Sequence, residues 1–161
     1  MNTLNYAIRN EADAAKYYSE QARAHTGTTL NKVFSLLAEE EQQHEAILQQ
    51  VLLESYSDLI ENPDLVSKDS IFSGLESFKD EIRENPAQVD VYRLAREMEQ
   101  KSIDLYRKMA ADAKNEKEKA VFHYLIKQEM RHYELMDEFV IRISRADEWV
   151  ESAEFGTREE Y

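Results

Sequence analysis

The sequence predicts an all-α fold: a four-helix bundle made of two repeated helical hairpins joined by one long crossover. Three observations carry this expectation. The chain has only three Gly and two Pro in 161 residues, while Ala, Leu, Glu, Lys, Gln and Arg are abundant, which is the composition of long helices with little turn. Apolar residues recur at helical spacing over four long segments, and strand-type alternation is absent. A shift of 88 positions then lays Ala7 on Ala95, Glu11 on Glu99, Tyr18 on Tyr106, Ala22 on Ala110, Val33 on Val121, Phe34 on Phe122, Leu37 on Leu125, Glu41 on Glu129 and His44 on His132. These nine agreements need no gap, so the chain reads as one hairpin used twice.

The first helix is expected over about residues 3–25. It stops at "HTGTT", where Gly27 suits the left-handed position after a helix end and Thr28 or Thr29 can cap the next helix. The second helix is expected over about 29–56. Residues 57–86 differ in character: they hold both prolines and one glycine, and read as a crossover with a short helix near Ser70–Glu84. A third helix is expected over about 87–113, a turn at "KNEKEK", and a fourth helix over about 116–145. The tail, 146–161, carries scattered aromatics, Trp149 among them, expected to pack back on the body. Short connections within each half make antiparallel hairpins, and the long middle link lets the second hairpin reverse. Residues 1–161 are expected to form a single domain with a core of its own.

Composition also excludes function classes. The formal charge is −13, with 33 acidic residues and no Lys/Arg cluster, which argues against nucleic acid or an anionic membrane as partner. The absence of cysteine removes disulfides, thiolate metal sites and cysteine nucleophiles. The N-terminal "MNTLNYAIRNE" is amphipathic rather than a signal peptide, and no apolar run approaches a membrane span. A soluble, cytoplasmic protein is the default expectation.

The inward seams carry the chemistry. In the fourth helix a 3-4 spacing connects Phe122, Leu125, Glu129, His132, Met136, Phe139 and Ile143. In the second it connects Phe34, Leu37, Glu41, His44, Leu48 and Val51. The first helix contributes Leu4, Ala7, Glu11, Ala14 and Tyr18; the third contributes Tyr92, Ala95, Glu99, Ser102, Tyr106 and Met109. Each helix therefore sends one glutamate inward, and two add a histidine three residues later, on the same face. Four unpaired carboxylates in a dry bundle cost several kcal/mol apiece, and no seam holds a Lys or Arg to pair them. A pair of divalent cations neutralises all four. A lone Glu-x-x-His is a weak signal, but two in register with a repeat are a strong one. Glu39 and Glu40 lie off the seam and read as solvated charge; Gln128 stands where the repeat places Glu40. His25 and His123, also off the seams, read as surface or boundary residues. Tyr18 and Tyr106 read equally as core tyrosines or as hydrogen-bond partners of a ligand carboxylate.

One Glu from each of two helices plus Glu-x-x-His from each of the other two resembles the ferritin-like di-iron carboxylate arrangement. Within that superfamily "AIRNEADAAKYY", "LAEEEQQHEAI", "EMEQKSIDLYRKMA" and "IKQEMRHYELM" resemble the four helices of rubrerythrins over nearly the whole chain, and the tail resembles that of stand-alone rubrerythrin-like proteins. The resemblance implies two iron ions, with Mn or Zn as alternatives, held by Glu11, Glu41, His44, Glu99, Glu129 and His132. Glu41 and Glu129 would bridge, while Glu11 with His44 and Glu99 with His132 would each cap one ion. It implies an oxidoreductase of oxidative-stress defence that reduces hydrogen peroxide or O2, and a homodimer. Two departures matter. Ser102 stands where rubrerythrins carry a second third-helix glutamate, and without cysteine the chain has no rubredoxin-type electron donor, so an external donor protein is implied. Two other readings stay open: iron oxidation and handling in a ferritin-like protein, and a non-redox bundle holding Mn or Zn.

Overall fold

A computed structural model describes residues 3–54 and 88–155, with side chains described as far as residue 145. It contains helices α1 (Thr3–Ala24), α2 (Thr29–Leu52), α3 (Val89–Ala111) and α4 (Glu116–Phe155), and no strand among the described residues. The fold is the expected all-α four-helix bundle, and none of the described helices is long and apolar enough to cross a membrane.

Local chemistry sets three of the helix ends. Gly27 has φ +85°, the left-handed conformation that closes α1, and the Thr28 hydroxyl accepts from the Asn31 backbone N–H to cap α2. At the start of α4, Asn115 Oδ1 accepts from the Glu118 backbone N–H at 2.9 Å, and Glu118 Oε2 accepts from the Lys114 N–H at 2.6 Å, a reciprocal cap. Two ends differ from the sequence expectation. Helix α2 stops at Leu52 rather than near Tyr56, because Leu53 leaves the helix and Glu54 takes a positive φ of 55°. Helix α4 runs ten residues beyond Arg145, to Phe155; no Gly or Pro interrupts it before Gly156, so nothing local ends it sooner. The crossover helix expected near Ser70–Glu84 lies outside the described residues, as does the side-chain packing expected of the tail.

Two apolar clusters fill the bundle. One joins Tyr18, Phe34, Leu37, Tyr92, Met136 and Phe139, with Val89 packed against it; the other joins Ala7, Leu48, Val51, Tyr106, Phe122 and Leu125. The C-terminal half of α1 thus meets the N-terminal halves of α2 and α3 and the C-terminal half of α4. Helix α3 therefore runs antiparallel to α1 and parallel to α2, so Leu52 and Val89 lie at opposite ends of the bundle. This is the geometry of a single long crossover. Phe34, fully buried, stacks between Tyr18 and Tyr92 at centroid distances of 6.1 and 6.2 Å. Between the two apolar clusters lies a polar layer.

Candidate metal centre

The polar layer contains all six residues singled out by the seams. Glu11, Glu41, His44, Glu99, Glu129 and His132 are each no more than 2% exposed. They form two groups. Glu11, Glu41, His44 and Glu129 bring ligand atoms within 4.8 Å of one another, and so do Glu41, Glu99, Glu129 and His132. Glu41 and Glu129 belong to both. Nδ1 of His44 lies 2.8 Å from Glu129, 3.2 Å from Glu41 and 3.4 Å from Glu11. Nδ1 of His132 lies 2.9 Å from Glu41, 3.7 Å from Glu129 and 3.8 Å from Glu99. The two imidazoles stack at a centroid distance of 5.6 Å.

His44 Nδ1 is hydrogen-bonded to Glu41 Oε2, but most of these close approaches are not hydrogen bonds. Glu11 Oε2, Glu41 Oε1, both oxygens of Glu129 and Nδ1 of His132 are buried and have no hydrogen-bond partner. Glu41 Oε1 and His132 Nδ1 are 2.9 Å apart yet out of line for an N–H bond. Buried polar atoms left in this state are costly, and oxygen and nitrogen donors converging on a common point are what a cation requires. The donor set therefore fits a metal: the cluster is able to hold one.

The carboxyls and imidazoles also shift one another's ionisation. Burial would favour neutral imidazoles, but Glu129 and the carboxyls of Glu11 and Glu41 hold His44 well above its ordinary pKa, and Glu41, Glu129 and Glu40 do the same for His132. Burial also raises Glu41, but His132 and His44 outweigh it and hold this carboxyl well below its usual range. Glu129 is lowered in the same sense, the imidazoles prevailing over burial and Glu41. Glu11 and Glu99 go the other way. Burial, reinforced by Glu129 and Glu41, raises Glu11 well above the usual range, and burial with Glu41 does so for Glu99.

The tyrosines reach across the bundle. Tyr18 donates its hydroxyl proton to Glu99 Oε1, and Tyr106 donates to Glu11 Oε1. Each thus serves the glutamate of the other hairpin, a consequence of the antiparallel α1–α3 pairing. Burial and the neighbouring carboxylates raise both phenols, which keeps them protonated as donors. On the α1–α3 side a cavity of about 260 Å³ reaches Glu99 and is lined by Asn10, Asp13, Ala14, Met98 and Ser102. Ala14 and Ser102 are repeat equivalents, and their small side chains leave this space open.

Two expectations need correction. Glu40, read as solvated, is only 3% exposed and accepts a 2.5 Å hydrogen bond from His132 Nε2, because α4 covers the flank of α2 on which it sits. Glu39 is exposed as expected. His25 is buried rather than superficial: Nδ1 donates to Gln21 O at 2.7 Å and the ring lies against Phe34, so it completes the α1 terminus. His123 is exposed, and neither joins the cluster.

The family model described as Rubrerythrin matches residues 2–140, a span that includes all six clustered residues. No curated protein and no solved structure matches the chain.

Proposed function

The chain belongs to the rubrerythrin family, and from that premise we propose that it is a di-iron oxidoreductase that reduces hydrogen peroxide with electrons from a separate donor protein. The observation that carries the reading is the pair of interlocked donor groups sharing Glu41 and Glu129. In this assignment Glu41 and Glu129 would be shared by two ions, Glu11 and His44 would complete one position, and Glu99 and His132 would complete the other. When bound, a ferrous pair supplies two electrons to H2O2, which takes up two protons and leaves as two waters.

The protein's own groups bind, orient and exclude. The four glutamates of the cluster, when ionised, match the charge of two divalent cations. Tyr18 and Tyr106 fix the rotamers of Glu99 and Glu11 through their hydroxyls. The cavity at Glu99 gives a peroxide-sized molecule an approach between α1 and α3, while the apolar clusters above and below keep bulk water out.

Anaerobic loading with Fe2+, followed by stoichiometric H2O2 or O2 in separate samples, tests the proposal through the near-ultraviolet absorption of ferric ion. Fast oxidation by peroxide and slow oxidation by O2 are expected. The reverse order favours iron oxidation and handling, and an unchanged spectrum with both oxidants sinks the redox reading. Glu41→Ala or Glu129→Ala is expected to abolish binding of a metal pair; two ions retained at full occupancy would refute the shared-ligand assignment.

A further inference from the structure

The six clustered residues obey the 88-residue repeat: Glu11 corresponds to Glu99, Glu41 to Glu129, His44 to His132, and Tyr18 to Tyr106. The groups behind the histidines do not. Glu40 is buried, and its Oε2 accepts from the outer nitrogen of His132 at 2.5 Å while the inner nitrogen faces Glu41, Glu99 and Glu129. Gln128 stands at the equivalent place in the second hairpin. It is also buried, but it is neutral, and its Oε1 accepts from Arg131 Nη1 at 2.9 Å, one turn along its own helix. Among the described residues, the ion-pair contacts of His44 all involve its inner nitrogen. Among the described residues, one imidazole is thus clamped from behind by an acidic side chain and the other is not.

A carboxylate on the distal N–H of a histidine does two things. It fixes the tautomer whose lone pair points at the metal, and it makes that lone pair a stronger donor. We propose that the two metal positions are inequivalent: the Glu99–His132 position fills first and holds a divalent cation more tightly, with Glu40 as the positioning residue that makes it so. The inference rests on the two-metal reading above. The repeat makes it sharp, since one Glu/Gln difference separates two otherwise matched donor sets. A singly loaded form therefore carries its ion on Glu99 and His132.

Anaerobic titration of the full-length apoprotein with Co2+, by calorimetry and by the visible absorption of the bound ion, tests this. Co2+ binding does not depend on peroxide chemistry, so its outcome is separate from turnover. Two resolved steps are expected, the first about 10- to 100-fold tighter. Glu40→Gln keeps the volume and an acceptor oxygen but removes the charge. It is expected to weaken the first step by about that factor, to merge the two and to shift the absorption of the first equivalent. Gln128→Glu introduces the acidic group at the position that the repeat makes equivalent to Glu40, and is expected to tighten the second step without altering the spectrum of the first. His44→Ala is expected to retain the tighter step and His132→Ala to lose it. Two equal sites in the parent protein, or two steps that Glu40→Gln leaves in place, overturn this inference alone. Absence of any Co2+ binding overturns the two-metal reading and this inference with it.

Discussion

Metal loading of this bundle is expected to expel protons in a number set by the buried cluster. The carboxylates around His44 and His132 raise both imidazoles, and burial with charged neighbours raises the carboxyls of Glu11 and Glu99. Ligation uses the deprotonated form of all four, whereas Glu41 and Glu129 are shifted toward their ionised form. Two divalent cations are therefore expected to displace protons from these four groups, about four at the limit. Each released proton makes the overall constant rise about tenfold per pH unit, so the limit is about ten-thousand-fold per unit, or ~5.5 kcal/mol. Calorimetric titration with Zn2+ or Co2+, repeated in buffers of different ionisation enthalpy, reads the count directly. Release of fewer than about one proton, or net uptake, would refute the reasoning, because the protonated cluster would then not be the resting state. Linkage gives a second readout on the apoprotein. Stability contributed by the raised imidazoles is complete below their ordinary value of about 6.5 and is lost as pH rises through the folded value. The raised carboxyls of Glu11 and Glu99 act in the same direction, since the unfolded chain gains by ionising them above about 4.3. Glu41 and Glu129 oppose only at acid pH, where their contribution disappears as pH falls. The melting temperature of the apoprotein is thus expected to fall from about pH 6 upward, while the loaded protein, with those protons gone, lacks this slope.

Tyr18→Phe and Tyr106→Phe each leave a buried glutamate oxygen without its donor, and are expected to cost about 1–3 kcal/mol in denaturant unfolding. Both variants should still bind metal, because neither tyrosine belongs to the donor groups. Phe34→Ala empties a fully buried position between two tyrosine rings and is expected to cost about 3–5 kcal/mol by chemical denaturation. Thr28→Ala removes the side-chain cap of α2, with an expected loss of about 1 kcal/mol in thermal unfolding and no change in metal stoichiometry.

The six clustered residues were legible because two independent periodicities agree on them. A 3-4 seam says which face of a helix turns inward, and the 88-residue repeat says which polar residues on that face occur twice. Glu40 escaped because the Phe34–Leu37–Glu41–His44 seam assigns the neighbouring position to solvent. A second stripe was nevertheless present: Val33, Leu37, Glu40 and His44 follow a 4-3-4 spacing, as do Val121, Leu125, Gln128 and His132, and all eight are buried. A helix flanked on two sides buries a wider face than one seam describes, and a wheel drawn for α2 alone carries no information about α4. The tyrosines show a related limit. Spacing placed Tyr18 on the face of Glu11, but its partner is Glu99, fixed by helix direction rather than by helical phase. Similarly, Leu53 and Glu54 end α2 without Gly or Pro to announce it.

The division of the core into two apolar clusters around one polar layer bears on how such a site survives folding without its ions. Each cluster closes one end of the bundle with its own aromatic packing, so the positions of the six side chains do not depend on metal for their backbone support. Six bare charges would be costly in such a layer, and the opposed shifts within it, the imidazoles raised and Glu41 and Glu129 lowered, are the mutual pairing that lessens this cost. The apoprotein is therefore expected to keep the helical circular-dichroism signal of the loaded protein. Glu40 departs from the repeat. Its side chain accepts from His132 Nε2, while its repeat equivalent is the neutral Gln128, which accepts from Arg131. Glu40 and Gln128 thus break the repeat beside the two histidines, and the proposed inequality of the two positions rests on that break.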